Sequence, residues 1–368
     1  MQASKNTFKF TPIDVVNHKE IINKTLYPSL SLLDFINESK EVSFQGDSYE
    51  FNEIFFNGTF KQKDILEIVY SSSFQKNCLI NYILVSFLTC EGSINLEDID
   101  FQLNSLPELV YLDTTNNFNA LALHGLISEN LFYRSTLNPI FRDQSFVDEL
   151  INKMLKRIQI YRINDINQFL FTLRMLPFIV KKNKDVKFVI VDCINNFPSY
   201  DQVCVYANND AIFNKNTTDT KNIKQIMKLL EETKTIRDIG MIILKKELWK
   251  INEIVSYNFQ QRCLHISNQI YNIFKFPAFK YAQTIVFLMS SSSFEDNALN
   301  FIYKDMDILN KMDSFNLQSY SIADIIHNGN LCFAVKNRLQ NKEIFCYFIN
   351  KSNFFFLKSY PCIILESN

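Results

Sequence analysis

The sequence predicts an α/β protein whose sheet is mainly parallel and ends in antiparallel strands. Three observations lead to this prediction: short apolar runs alternate with longer helical patterns, several of these runs have no polar face, and the final runs follow one another without helices. The 368 residues allow one large domain or two ordinary ones, and no repeat or Gly/Ser-rich linker divides them. We therefore expect one elaborated domain.

Strands and helices alternate in the first half of the chain. The segment 64–89 contains the apolar run ILEIVY, a serine-rich loop and a mostly apolar helical pattern. The run LVYLDTTNNF at 109–118 predicts a second buried strand that ends in an acidic turn. A third strand is predicted over 155–163, and the pattern over 164–183 predicts a helix with polar capping residues at its start.

The second half continues this alternation and then changes to strands alone. VKFVIVDCI at 186–194 is the clearest strand, a continuous apolar run that ends in aspartate. The pattern over 245–258 predicts an amphipathic helix, and 262–270 predicts a further strand. Alternating segments within 331–365 predict closing antiparallel strands.

Polar stretches indicate where the domain is elaborated. We assign residues 1–45 to an N-terminal extension and residues 46–368 to the domain itself. Stretches rich in Asn, Lys, Ser and Asp predict insertions near 207–237 and 275–325. We expect both insertions to be surface loops.

The composition excludes several classes of function. The 38 basic and 39 acidic residues give a net charge of −1, which excludes a strongly basic nucleic-acid coat. The eight cysteines form no C-x-x-C motif and do not pair with histidines, so we expect an intracellular protein without a zinc site. No apolar run is long enough to span a bilayer, so we expect no membrane association. Only six glycines are available for any phosphate-binding loop.

Five segments occur in an informative order. They are FNEIFFNGTFKQKDILEI, LVYLDTTNNFNALAL, the region from RIQIYRIND to KFVIVDCINNF, LHISNQI, and LCFAVKNRLQNKEIFCYFINKS. A strand, a loop, a lysine and a helix come first, and a strand ending in aspartate follows about 115 residues later, as in a P-loop nucleotide fold. Over about residues 46–365 the chain resembles the RecA-like recombinase family, specifically the eukaryotic recombinase paralogs that act as mediators in homologous recombination. The resemblance implies a RecA-like P-loop NTPase core.

The chain departs from this family at the phosphate loop. The residues aligned with G-x-x-x-x-G-K-[ST] run from Tyr70 to Asn77, and of the motif only Lys76 remains. Asn77 replaces the hydroxyl that binds Mg²⁺, and Thr115 stands where the family has its water-activating glutamate. We therefore expect no catalytic residue and no metal, and we do not favour ATP or Mg²⁺ as cofactors. The resemblance leaves a vestigial nucleotide-binding set: Lys76, Asn77, Asp113, Asp192 and Gln269.

These residues also have simpler interpretations. Lys76 can be interpreted as an ordinary surface lysine at the start of a helix, although the helix dipole does not favour a cation there. Asp192 fits a solvated turn residue at a strand end. Gln269 can be interpreted equally well as a side chain that hydrogen-bonds backbone groups or as a relay residue. On these interpretations the substitution Lys76→Ala would be close to silent.

The sequence predicts a nuclear, non-catalytic recombinase paralog that acts as a scaffold or mediator in homologous recombination and double-strand-break repair. Its expected partner is another recombinase paralog or the recombinase itself, with single-stranded DNA as a further candidate. Lysines that could contact DNA lie in two long loops: Lys215, Lys221, Lys224, Lys275 and Lys280. Two alternatives stay open: a divergent DNA-dependent ATPase that holds MgATP with Lys76, Asn77 and Asp192, and an unrelated intracellular α/β protein. A sheet in which strand 186–192 does not lie next to strand 65–70 would favour the unrelated protein.

Overall fold

One large mixed sheet with helices on both faces forms the centre of the molecule. The computed structural model describes residues 42–46, 48–89, 107–134, 143–197, 218–246, 254–267, 282–289, 291–311, 331–336, 342–350 and 353–364. Within these ranges the large sheet has 11 strands, and a separate sheet has two. The prediction of an α/β protein with a mainly parallel sheet and antiparallel C-terminal strands is confirmed.

The order of strands in the large sheet is β5-β4-β6-β7-β3-β10-β11-β12-β13-β9-β8, and β1 pairs with β2 in the small one. The strands of the described residues are β1 Ser43–Phe44, β2 Phe60–Lys61, β3 Ile65–Tyr70, β4 Glu108–Asp113, β5 Ile158–Arg162, β6 Val186–Asp192, β7 Gly240–Lys246, β8 Val255–Asn258, β9 Cys263–Ile266, β10 Thr284–Met289, β11 Cys332–Lys336, β12 Lys342–Asn350 and β13 Asn353–Ile364.

The parallel half of the sheet runs from β5 to β10, with β3 in its interior. β3, β6 and β7 are buried along nearly their whole length, because helices cover both faces. The strands predicted within 64–89, 109–118, 155–163 and 186–194 are confirmed. The sequence analysis missed β7 and β10, although these two strands flank β3.

The antiparallel half contains the closing strands. β11, β12 and β13 pair antiparallel as predicted within 331–365, and β9 confirms the strand predicted within 262–270. The helix predicted over 245–258 is wrong at both of its ends: β7 continues through Lys246, and β8 begins at Val255. The helical spacing of its apolar residues is overridden there by pairing with neighbouring strands.

Helices cover the two faces of the sheet unequally. The α-helices of the described residues are α1 Tyr49–Phe51, α2 Ser73–Thr89, α3 Ala120–Arg134, α4 Gln144–Leu155, α5 Ile166–Lys182, α6 Thr218–Ile236 and α7 Asp296–Lys311. α2, α3 and α4 pack on one face in the largest apolar cluster. α5 and α6 cover the parallel half of the other face, and α7 covers the antiparallel half. The helices predicted within 64–89 and 164–183 are therefore confirmed, and Asp165 caps α5 through the backbone N–H groups of Asn167 and Gln168.

The two segments predicted as insertions contain parts of the core. Within 207–237, α6 buries Ile226 and Leu230 against the sheet. Within 275–325, β10 lies beside β3, and α7 buries Ile302. Their polar composition concealed a few apolar residues at helical spacing and one short apolar run, TIVFLM. The prediction that these segments are surface loops is wrong for 218–236, 284–289 and 296–311.

The described core begins before the predicted boundary at residue 46. Phe44 on β1 is buried and packs edge-on against four other phenylalanines: Phe56, Phe60, Phe87 and Phe188. A π-helix at Asn52–Phe56 supplies one of these rings and ends at Asn57, which has a left-handed backbone. The abundance of phenylalanine thus fills the layer between α2 and the sheet. Residues 1–41 of the predicted extension lie outside the described residues.

Substitution by alanine should change the free energy of unfolding in opposite directions at two glycines. A Cβ at Gly240 would lie 2.6 Å from Phe188 Cδ1 and 2.9 Å from the Lys61 carbonyl oxygen, so Gly240→Ala should lower the free energy of unfolding by about 1–3 kcal/mol. A Cβ at Gly125, inside α3, would meet open space, so Gly125→Ala should raise it by about 0.5–1 kcal/mol. Urea unfolding of both variants measures the difference. Equal effects of the same sign would contradict the packing at Gly240.

Candidate functional site

The carboxyl ends of β3, β4, β6 and β7 meet at one edge of the sheet, because these strands are parallel. α2 begins at this edge, and two residues separate it from the end of β3. From β3 the chain passes to β4 on one side and later returns to β10 on the other side, which makes β3 a point where the winding of the sheet reverses. Ligands of open α/β sheets bind at such points, so this edge is the candidate site.

The sheet order differs from the expectation for strands 65–70 and 186–192. β7 lies between β3 and β6, so the two strands are not neighbours. By the criterion given above, strand adjacency favours an unrelated α/β protein. The side chains nevertheless meet, because Lys76 on the first turn of α2 reaches across β7 to the end of β6.

Lys76 and Asp192 form a buried ion pair at this edge. The distance from Lys76 Nζ to Asp192 Oδ2 is 2.7 Å, and each side chain is 1% exposed. Tyr111 donates its hydroxyl to the same carboxylate oxygen at 2.7 Å, and the Tyr70 ring lies 5.6 Å from Lys76 Nζ. The expectations of a surface lysine and a solvated aspartate are therefore wrong. Each residue is buried because the other supplies its counter-charge.

Asp113 has a different role from Asp192. Its buried carboxylate accepts hydrogen bonds from the backbone N–H groups of Thr115, Asn117 and Phe118, at 3.1, 3.3 and 3.1 Å. The Thr115 hydroxyl lies 3.3 Å from Asp113 Oδ1 and 3.4 Å from Asp192 Oδ2. Asp113 thus shapes the turn after β4, and Thr115 joins the two carboxylates without supplying a base.

Hydrogen bonds connect the turn after β4, the turn after β6 and the end of β7. Thr114 N–H donates to the Asp192 carbonyl at 2.7 Å, and Cys193 N–H donates to Thr114 Oγ1 at 2.8 Å. Asn195 holds the end of β7 through both backbone groups of Lys246, at 2.8 and 2.7 Å. Burial raises the pKa of the Cys193 thiol to about 11, so this thiol is protonated and unreactive at neutral pH.

A second buried ion pair lies on the opposite face of the sheet, between β3 and β7. Lys245 Nζ on β7 is 2.9 Å from Glu67 Oε1 on β3, and both side chains are buried. Burial lowers the pKa of Lys245, while the nearby Glu67 opposes that shift. Sequence reasoning missed this pair. The signal was a glutamate inside the apolar run ILEIVY and a pair of lysines that ends the run MIILKK, since such charges require a partner when both faces of a strand are covered.

These residues do not fit a magnesium nucleotide. Only Ser71 and Ser72 connect β3 to α2, too few for a loop whose N–H groups surround phosphates. The Gln75 side chain is buried and donates to the Met289 carbonyl at 3.0 Å. The charge of Lys76 is already neutralised by Asp192. No step through ATP or Mg²⁺ follows from this geometry.

The other predicted site residues do not join this cluster. Asn77 is half-buried on α2 and takes no part in the hydrogen bonds around Asp192 that are given above. The strand assigned to the family's sensor, β9, lies five strands from β3, and Gln269 is outside the described residues. Lys221 and Lys224 lie on α6, and their side chains are outside the described part of the chain. The remaining lysines also lie outside it: Lys215, Lys275 and Lys280.

The described residues offer neither a cluster of metal-ligating side chains nor a helix that could span a membrane. No group of three or more His, Cys, Asp or Glu side chains in this part of the chain could hold a metal ion. None of the described helices is long and apolar enough to cross a membrane.

Comparisons of the sequence add no relative. No protein-family model matches the chain, and no curated protein is significantly similar to it.

Removing one member of the Lys76–Asp192 pair should cost far more than removing both charges. Lys76→Met leaves a buried, uncompensated carboxylate and should lower the free energy of unfolding by about 3–5 kcal/mol. The double variant Lys76→Met/Asp192→Asn keeps an acceptor for Tyr111 and should lose about 0–2 kcal/mol. A double-mutant cycle by urea unfolding measures the coupling. Additive losses would show that the two side chains do not interact. Lys76→Ala leaves the same buried carboxylate without a counter-charge, so it should also lower the free energy of unfolding instead of being silent.

Alkaline pH should weaken the fold through buried tyrosines. Burial and the nearby Asp192 raise the pKa of Tyr111 well above its ordinary value, while an unfolded tyrosine releases its proton near pH 10. The stability that the neutral phenol contributes is therefore complete below about pH 10 and is lost as the pH rises towards the folded-state pKa. Tyr111→Phe should make the fall shallower by about 1.36 kcal/mol per pH unit. Urea unfolding above pH 10 measures the slope.

Tyr347 provides the matched control. Burial also raises its pKa, but its hydroxyl has no hydrogen-bond partner among the described residues. Tyr347→Phe should flatten the alkaline slope equally without the loss at pH 8 that Tyr111→Phe suffers from removing a donor to Asp192. An unchanged slope in both variants would contradict the burial of these hydroxyls.

Proposed function

We propose that the chain is a RecA-like recombinase paralog that acts in the nucleus as a non-catalytic scaffold or mediator of homologous recombination and double-strand-break repair. The proposal starts from the ordered resemblance of five segments. The structure adds that the lysine aligned with the phosphate loop and the aspartate aligned with the metal-binding strand end share one buried site. Strand adjacency does not support the proposal, so it depends on this convergence of side chains.

The observation that carries the proposal is the Lys76–Asp192 ion pair. In a working P-loop site the lysine would face phosphate, and the aspartate would face a metal ion. Here each side chain neutralises the other at 2.7 Å, and Tyr111 donates to the same carboxylate oxygen. This pairing supports a site that is held together by the chain's own charges, which is compatible with a scaffold that does not hydrolyse ATP.

The composition favours binding to proteins over binding to nucleic acid alone. A net charge of −1 gives weak attraction to phosphates, whereas several aromatic side chains of the kind that interface cores use are exposed: Tyr49, Phe74, Phe132, Phe171, Phe178 and Phe259. We propose another recombinase paralog, or the recombinase itself, as the partner. Single-stranded DNA is a further proposed partner, with contacts from the lysines named in the sequence analysis.

The test compares wild-type protein with Lys76→Met/Asp192→Asn, which removes both charges without leaving one unpaired. Neither form should bind a fluorescent ATP analogue with Mg²⁺ at micromolar concentrations. Deleting the gene in its own cells should increase sensitivity to double-strand breaks, and the double variant should restore resistance. The tagged protein should purify with a recombinase or a recombinase paralog.

Two outcomes would replace the proposal with one of the alternatives. Micromolar MgATP binding by the wild type, lost in a folded double variant that also fails to restore resistance, would favour the DNA-dependent ATPase. Normal resistance in the deletion strain, with no recombinase in the purified complex, would favour the unrelated α/β protein.

A further inference from the structure

Helix α5 is apolar on two opposite sides. Its inner side packs on the sheet with four buried residues: Phe169, Leu173, Leu176 and Val180. Its outer side carries Phe171, Met175 and Phe178, which are 63%, 39% and 65% exposed. A helix at the surface of a globular protein normally has a polar outer side, and a helix that is apolar all round is normally buried. The outer side of α5 therefore has the character of a covered surface.

The three exposed side chains form one continuous row. They stand at positions i, i+4 and i+7, which lie above one another on a helix. Two phenylalanines and a methionine contribute on the order of a few hundred Å² of apolar surface, the size at which a patch marks an interaction site. Single exposed apolar residues need no such explanation, but a row of three does.

The exposed charges on α5 itself all have the same sign. Arg174, Lys181 and Lys182 are exposed on the same outer side, and the 17 residues of α5 contain no acidic residue. Arg174 comes between Phe171 and Met175 in the sequence, and the two lysines follow Phe178 in the last turn of the helix. A second copy of the same face would bring like charges together, so self-association through α5 is disfavoured. The complementary surface has apolar residues at helical spacing and carboxylates beside them.

We propose that the outer side of α5 docks an acidic amphipathic helical segment of a partner protein. The apolar row of the partner would cover Phe171, Met175 and Phe178, and its carboxylates would pair with Arg174, Lys181 and Lys182. This inference rests on the proposed scaffold function, because it names the surface that holds the partner. It requires nothing of the Lys76–Asp192 site, which belongs to the edge formed by β3, β6 and α2.

The test uses the full chain and a defined peptide. The probe is a fluorescent peptide of 17 residues, the length of α5, with leucine at positions 1, 5, 8 and 12 and mainly glutamate and alanine elsewhere. Its control is a peptide of the same composition in scrambled order. Fluorescence polarisation should show saturable binding of the amphipathic peptide and much weaker binding of the scrambled one.

Variants of the chain assign the binding to α5. Phe171→Ala/Phe178→Ala should weaken binding about tenfold or more, because apolar anchors dominate such interfaces. Phe132→Ala is the matched control, since Phe132 is 66% exposed on α3, and it should leave binding unchanged. Arg174→Glu/Lys181→Glu should also weaken binding, and a peptide with lysine in place of glutamate should restore it. Urea unfolding should show that all variants remain folded.

Several results would overturn the inference. Equal binding of both peptides, or equal weakening by Phe132→Ala, would show non-specific contact. Binding to phosphatidylserine vesicles that depends on Phe171 and Phe178, without peptide binding, would assign the surface to lipid. Dimerisation of the chain that the double alanine variant abolishes would assign it to a second copy. A repair-defective deletion strain with no peptide binding would reject this docking alone, and peptide binding with a repair-proficient deletion strain would reject the proposed function alone.

Discussion

Charge burial at the centre of the sheet is the constraint on which the site depends. Strands covered on both faces exclude water, so a charged side chain within them needs a counter-charge or several hydrogen bonds at contact distance. Among the described residues, Lys76–Asp192 meets this requirement on one face and Glu67–Lys245 on the other. All four residues belong to β3, β6, β7 or the start of α2. The same arrangement that keeps the core dry pairs the lysine with one carboxylate oxygen of the aspartate.

Much of the fold could be predicted because buried strands leave a strong local signal. The runs ILEIVY and VKFVIVD are apolar on both faces, and they became β3 and β6. The errors lie where tertiary contacts override composition. α6 was hidden in a polar stretch because only its side towards the sheet is apolar, and the spacing in 245–258 suited a helix until strand neighbours were known.

Only part of the residue cluster was named by the sequence, and the burial of its members was not predicted. Lys76, Asp113 and Asp192 were selected by order along the chain, and all three lie at one edge of the sheet. Their burial could not be predicted, since it depends on Tyr70 and Tyr111, which no local pattern connects to them. Glu67 and Lys245 were missed because a charge in an apolar run does not indicate which residue pairs with it until the register of the two strands is known.

The ion pair between Lys76 and Asp192 also bears on timing. A site that binds and hydrolyses nucleotides can limit the lifetime of a complex, because the protein then alternates between two states at the rate of hydrolysis. A counter-ion built into the chain does not exchange, so the proposed scaffold would have no internal step that ends an interaction. The lifetime of its complexes would then be set by dissociation and by the concentrations of the partners. Control over such a protein would act on its abundance and location.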